Sequence, residues 1–148
     1  MLAKMLELIR GQRLSVLATA GADGAPHCSL MSYAWHEGRR VIWLVTSAGT
    51  RKFANLGVNP AVSLLIDTRD APAAGGPVAA LTIAGAARAL PPGPERAEAL
   101  AALLARHPDL MAIATQADAQ VLEVTPAQLQ LLEGPGQAHH ARLEPAPA

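Results

Sequence analysis

The stretch Val45-Thr-Ser-Ala-Gly-Thr-Arg-Lys52 holds the most suggestive chemistry in the chain. An apolar run ends there, a loop of small residues follows, and a helix opens on a hydroxyl and two cations. Helix N-termini present unpaired N–H groups and a partial positive charge, which suits a phosphate. The guanidinium of Arg51 can bind two phosphate oxygens at once, and the ammonium of Lys52 adds a point charge. Gly49 lets the backbone approach an anion closely. The same residues also make an ordinary solvated helix start with Thr50 as its cap. A second stretch, Pro26-His-Cys-Ser-Leu-Met-Ser-Tyr-Ala-Trp35, reads as a strand. His27, Ser29, Met31 and Tyr33 fall on one face, and Cys28, Leu30, Ser32 and Ala34 on the other. Ser29 and Ser32, with the strand's backbone groups, could hold the polar edge of a flat heterocycle. The plainer reading is a strand with one half-buried face.

Single residues say less. Cys28 reads as a buried structural thiol or as a reactive one. Trp35 and Trp43 read as core, or as rings that stack near a flat ligand. His107, before Pro108, reads as a helix C-cap or surface residue. His27, Cys28 and His36 lack the ligand spacing of a zinc site.

The elements that must position these stretches follow from periodicity and breakers. Leu2, Met5, Leu6 and Ile9 sit at helical spacing, and Gly11 stops that helix. Residues 14–20, 27–35 and 41–46 read as three strands joined by turns at Asp23-Gly24 and at 36–39. A short helix is expected from Thr50 to Leu56, ended by Asn59-Pro60, and a fourth strand over 61–67. Residues 70–77 read as loop. A long strand over 78–90 carries Gly85 as a bulge or bend. Pro94 opens a helix to about Arg106. Residues 109–118 fit no single pattern. Residues 120–125 form a strand that 129–133 continues or follows. Residues 1–133 thus form one mainly β domain, a small barrel with flanking helices. Residues 134–148 are expected as a C-terminal extension, partly disordered.

Composition sets the outer limits. The chain has 148 residues, 51% of them hydrophobic and 16% charged, so its body should fold. So much apolar surface favours burying some of it between subunits. Lys plus Arg number 12 and Asp plus Glu number 12, giving a net charge of zero. No global basic field exists to recruit nucleic acid or an anionic membrane. No run is apolar enough to span a membrane, and Met1 to Arg10 does not read as a secretory signal. A cytoplasmic protein is expected. One cysteine excludes an internal disulfide.

Taken in order, the two stretches and the segment Asn55-Leu-Gly-Val-Asn-Pro-Ala-Val-Ser-Leu-Leu65 resemble the FMN-binding split-barrel family related to pyridoxamine 5'-phosphate oxidase. Thr46-Ser-Ala-Gly-Thr-Arg-Lys52 is similar to the family's Thr-x-x-x-[Ser/Thr]-Arg-Lys loop, and Asn55-Leu-Gly-Val-Asn-Pro60 to its helix end. The resemblance implies a homodimer that holds FMN in a groove between its subunits. It places Arg51 and Lys52 at the FMN phosphate with Thr50 beside them. It sets Thr46 and Ser47 close to ribityl and phosphate. It lays His27, Cys28, Ser29, Leu30, Met31 and Ser32 along the isoalloxazine. The oxidase's strand arginine and lysine are His27 and Ser32 here, a glutamine used by many members falls near Ala80, and the oxidase's C-terminal Arg and His have no counterpart. The resemblance therefore implies FMN-dependent redox chemistry on a small molecule other than the oxidase's own substrate, with no catalytic acid or base assigned.

The C-terminal run Gly134-Pro-Gly-Gln-Ala-His-His140 is similar to the Gly-Phe-Gly-x-Ala ending of the family's haem-utilisation branch, with Pro135 in place of Phe. That branch offers a second function, haem binding through His139 or His140, since neutral imidazole is a good iron ligand. A deazaflavin in place of FMN, a flavin carrier without turnover and a cofactor-free barrel complete the alternatives.

Overall fold

The structure is a computed structural model, and it describes residues 1–70 and 76–147. Helix α1 (Leu2–Gly11) turns Met5 and Ile9 into the core. Strands β1 (Leu14–Ala20) and β2 (Pro26–Ser32) form a hairpin. At its turn Gly24 takes a positive φ and the Asp23 carboxylate accepts the Ala25 N–H at 3.0 Å. Strands β3 (Ala34–His36) and β4 (Val41–Ser47) form a second hairpin. Helix α2 (Arg51–Leu56), β5 (Ala61–Asp67) and β6 (Ala79–Ala89) follow. Then come α3 (Pro94–Arg106), a 3-10 turn (Pro108–Leu110), α4 (Met111–Ala114), β7 (Ala119–Glu133) and β8 (Ala138–Arg142).

All the strand pairings are antiparallel. The sheet runs β2-β1-β5-β6-β7-β4-β3, with β8 beside β7. Its two end strands, β2 and β3, are consecutive in the chain and separated only by Tyr33. The sheet therefore curls until its ends share one extended segment, which is what makes it a barrel. At Gly85 a bulge bends β6 along β7. An added Cβ there would run into the Thr125 carbonyl, so only glycine fits.

The interior is aliphatic: Leu17, Ile42, Leu44, Leu64, Ile66, Leu81, Ile83, Leu122 and Leu131 close on Met5 and Ile9 of α1. A second cluster lies outside the barrel wall, where Trp43, Val45 and Val121 meet Ala99 and Leu103 of α3. Covered on both faces, Val41 to Thr46 of β4 are all buried, so that strand reads as a continuous apolar run. Within the outer cluster Glu123 is buried, accepting from Trp43 Nε1 at 3.0 Å and from Arg88 Nη2 at 3.0 Å. Among the described residues no helix is long and apolar enough to cross a membrane.

The structure corrects some of the expectations from the sequence and settles others that the residues left open. The strand expected over 27–35 is broken at Tyr33, because its halves pair with different strands, β1 and β4. The segments 120–125 and 129–133 are one strand, since β6 pairs along nearly all of it. The ambiguous segment 109–118 holds the end of the 3-10 turn and α4. The C-terminal extension carries β8 and buries Leu143 in the main core, with the Leu143 N–H donating to the Ala127 carbonyl at 3.0 Å. The expected loop at 70–77 lies mostly at 71–75, outside the described residues.

Candidate functional site

The register of β3 on β4 pairs Ala34 with Trp43 and His36 with Val41. Continued past Tyr33, that register would set Ser32 opposite Val45 and Leu30 opposite Ser47. Instead β2 diverges, and no pairing joins it to β4 among the described residues. The barrel is split there, with the free edge of β2 on one side and Leu44–Ser47 on the other. Unpaired strand edges present a row of backbone donors and acceptors. The structure thus brings the two chemically suggestive stretches to the two lips of one opening.

Along β2, His27, Ser29 and Ser32 are half-buried and Met31 is buried. Leu30 is 70% exposed, and Cys28 is exposed rather than the buried thiol expected of a structural cysteine. Its outward direction follows from the pleat, since Cys28 pairs with Ala18 on the outer face beside Leu30 and Val16. Among the described residues no side-chain hydrogen bond engages His27, Ser29 or Ser32.

On the other lip, α2 is seated by Phe53 and Leu56, which pack on the main core. Asn55 Nδ2 also donates to Thr19 Oγ1 of β1 at 3.0 Å. Thr50 is the N-cap: its hydroxyl oxygen accepts the Phe53 N–H at 3.4 Å, as the sequence implied. The loop between β4 and α2 is closed by its own hydroxyls. The Thr50 hydroxyl donates to the Ser47 carbonyl at 3.0 Å. Its proton is then committed, so the buried Thr46 hydroxyl must donate to Thr50 Oγ1 across their 3.2 Å contact. The Ser47 hydroxyl donates to Gln116 Oε1 at 3.1 Å, and the Ala48 N–H to the Asp118 carbonyl at 2.9 Å. Thr46, Ser47 and Thr50 are therefore the frame of the loop. Arg51 is exposed and Lys52 half-buried, and neither side chain has a hydrogen-bond or ion-pair partner among the described residues. Two cations at the mouth of a split, with no counter-charge among the described residues, fit a phosphate-bearing ligand.

His139 and His140 lie elsewhere. On β8 they point to opposite faces, His139 half-buried and His140 exposed. Strand β7 meets Ser47 through Ala119 at its start and His139 through Leu131 near its end. The histidine pair and the Arg51 loop are thus two separate places. Among the described residues no three His, Cys, Asp or Glu cluster to hold a metal ion. His107 is a buried C-cap rather than a surface residue: its Nε2–H donates to the Tyr33 carbonyl at 2.7 Å. Gln116 had no sequence signal, because its one side-chain tie among the described residues spans 69 residues.

The outer face of β2-β1-β5 is apolar. Leu30, Val16 and Leu65 lie in one cross-strand row, and Cys28, Ala18 and Ser63 in the next. A groove of about 570 Å³ on this face is also lined by Arg13, Arg69, Asp70 and Asp109. Beside it, the guanidinium of Arg69 holds the Asp67 carboxyl below the usual carboxylate range.

Among curated proteins none matches the chain. Among solved structures, the chain is similar to a heme binding protein from Mycobacterium smegmatis, with TM-score 0.82, 24% identity and 94% of this chain covered. It spans only 56% of that protein's length. It is also similar to the heme storage protein HutZ from Vibrio cholerae, with TM-score 0.71, 21% identity, and 88% of this chain and 92% of that one covered. The General Stress Protein 26 from Bacillus anthracis gives TM-score 0.70 and 19% identity, covering 95% of this chain and 97% of that one. At such identities these likenesses establish the split-barrel fold alone. The family model described as pyridoxamine 5'-phosphate oxidase matches residues 1–133, and the chain belongs to that family.

Proposed function

We propose that this protein binds FMN in the split between β2 and β4, as a homodimer, and serves as an oxidoreductase for a small molecule. The observation that carries the reading is the Arg51–Lys52 pair, which has no partner among the described residues and is held at the split by a loop whose hydroxyls are all engaged. Arg51 and Lys52 neutralise and orient the phosphate. The free edge of β2, with Ser29 and Ser32, offers donors and acceptors to a flat polar ring. The apolar rows on the outer face of β2-β1-β5 favour a second copy, which would shelter the site from water. When bound, FMN supplies the redox chemistry, and the protein supplies orientation and electrostatics.

Haem binding is the second reading. His139 and His140 stand on a hydrogen-bonded strand, a firmer setting for an iron ligand than a loose tail. Two of the similar solved structures are a heme binding protein and a heme storage protein.

One experiment separates the two. Purified protein is mixed with FMN, passed through gel filtration, and its visible spectrum recorded; the same is done with hemin. Retained flavin absorbance is expected. It should be lost in R51A/K52A, at about 1.5–3 kcal/mol for each charge-assisted bond removed. Unchanged FMN retention in that variant would overturn the phosphate assignment. Rejection of FMN together with a Soret band on hemin would move the assignment to haem.

A further inference from the structure

Proton bookkeeping in the Ser47–Thr50 loop points beyond the two cations. A phosphate at this loop needs donors. Thr46 gives its hydroxyl proton to Thr50, Thr50 gives its own to the Ser47 carbonyl, and Ser47 gives its own to Gln116 Oε1. The Ala48 N–H is spent on the Asp118 carbonyl at 2.9 Å, and the Thr50 N–H reaches back to the Ser47 carbonyl at 3.3 Å. None of the three hydroxyls keeps a proton for a ligand. The Gln116 carboxamide is oriented by the Ser47 bond, and its Nε2 keeps both hydrogens without a partner among the described residues. Gln116 is exposed, so that amide is open to solvent.

We infer that Gln116, on the segment between α4 and β7, is the neutral side-chain donor of the phosphate subsite, beside the Gly49, Arg51 and Lys52 N–H groups that no described residue engages, and stands in for the Ser47 hydroxyl that it immobilises. Two ties, Ser47 to Gln116 and Ala48 to Asp118, fasten that segment to the loop. Gln116 positions the loop through its carbonyl oxygen and faces the anion with its amide. This rests on the FMN reading and adds to it a specificity element for the monophosphate end of the ligand. Riboflavin has the same ring and ribityl chain but no phosphate, so it does not call on Gln116.

The test compares FMN and riboflavin affinity by fluorescence quenching in the full-length wild type, Q116A and Q116E, with inorganic phosphate as competitor. Q116A should bind FMN more weakly by about tenfold or more, as expected for one hydrogen bond to a charged phosphate. Q116E still accepts the Ser47 proton, yet sets a negative charge beside the phosphate. It should lose about tenfold or more for FMN, and inorganic phosphate should compete less well than in the wild type. Riboflavin affinity should be the same in all three. A purely structural role predicts instead that Q116E behaves as wild type, and that Q116A weakens both ligands alike; either result overturns the inference. FMN bound equally well by all three proteins overturns it while leaving the FMN reading intact. A wild type that takes up neither flavin overturns both.

Discussion

Tyr33 shows how much one side chain settles. Its hydroxyl donates to the Ile9 carbonyl at 2.6 Å, one of the last α1 carbonyls left without an intrahelical partner. The Arg106 guanidinium sits 5.5 Å from the ring centroid and donates to the Arg10 carbonyl, so α1 is capped by residues distant in the chain. Burial raises the Tyr33 phenol well above its ordinary value near 10, with Arg106 opposing in part. A raised folded pKa stabilises fully below the unfolded value and is lost as pH climbs above it. Thermal melts of wild type should therefore fall steeply above about pH 10. Tyr33→Phe should lose about 1–3 kcal/mol at neutral pH, from the orphaned carbonyl, and show a flatter alkaline limb. An equally steep limb in both proteins would refute the assignment. At this scale the sequence was legible only where contacts are local. Thr50 as a cap bonds three residues away. The bonds of Ser47 and Tyr33 link distant segments, and no local pattern announces them.

The elements were legible where periodicity and breakers agree. Helix α1, strands β1 and β5 and helix α3 follow from apolar spacing bounded by glycine and proline. Strand β8 was not, because Ala138-His-His-Ala-Arg142 has no apolar alternation; it is a strand because β7 offers it a ladder. Nor was the break at Tyr33, which arises from competition between β1 and β4 for one extended segment. Gly85 was legible as a bulge, and its reason is now visible in the approach of the Thr125 carbonyl. Gly85→Ala should force β6 from β7 and cost about 1–3 kcal/mol of unfolding free energy, against the few tenths expected at an open site. Urea denaturation measures it, and a change under 0.5 kcal/mol would show that the bulge tolerates a Cβ.

For the whole molecule, the fold class was read from the strand spacing along the chain and from the motifs in residues 26–65, which also hold the candidate loop. The outer face of β2-β1-β5 was not, because its apolar rows exist only once β1 lies between β2 and β5 with Val16 paired to both Leu30 and Leu65. Leu30 is 70% exposed in the single chain, and a large exposed apolar residue at the edge-strand end of such a row suits a self-complementary contact. Leu30→Glu should shift a dimer to monomer in light scattering while the far-ultraviolet dichroism stays unchanged. A dimer that survives the substitution would place the contact elsewhere.

The single segment shared by the two ends of the sheet also governs how the chain reaches this state. The hairpins β1–β2 and β3–β4 can form while the rest of the protein is still being made. Their enclosure waits for β7, which pairs with β4, β6 and β8 and begins only at Ala119. Until then the aliphatic interior faces solvent, and the last step joins regions far apart in sequence, which slows folding. A nascent chain of this protein therefore stays in need of protection until β7 has left the ribosome.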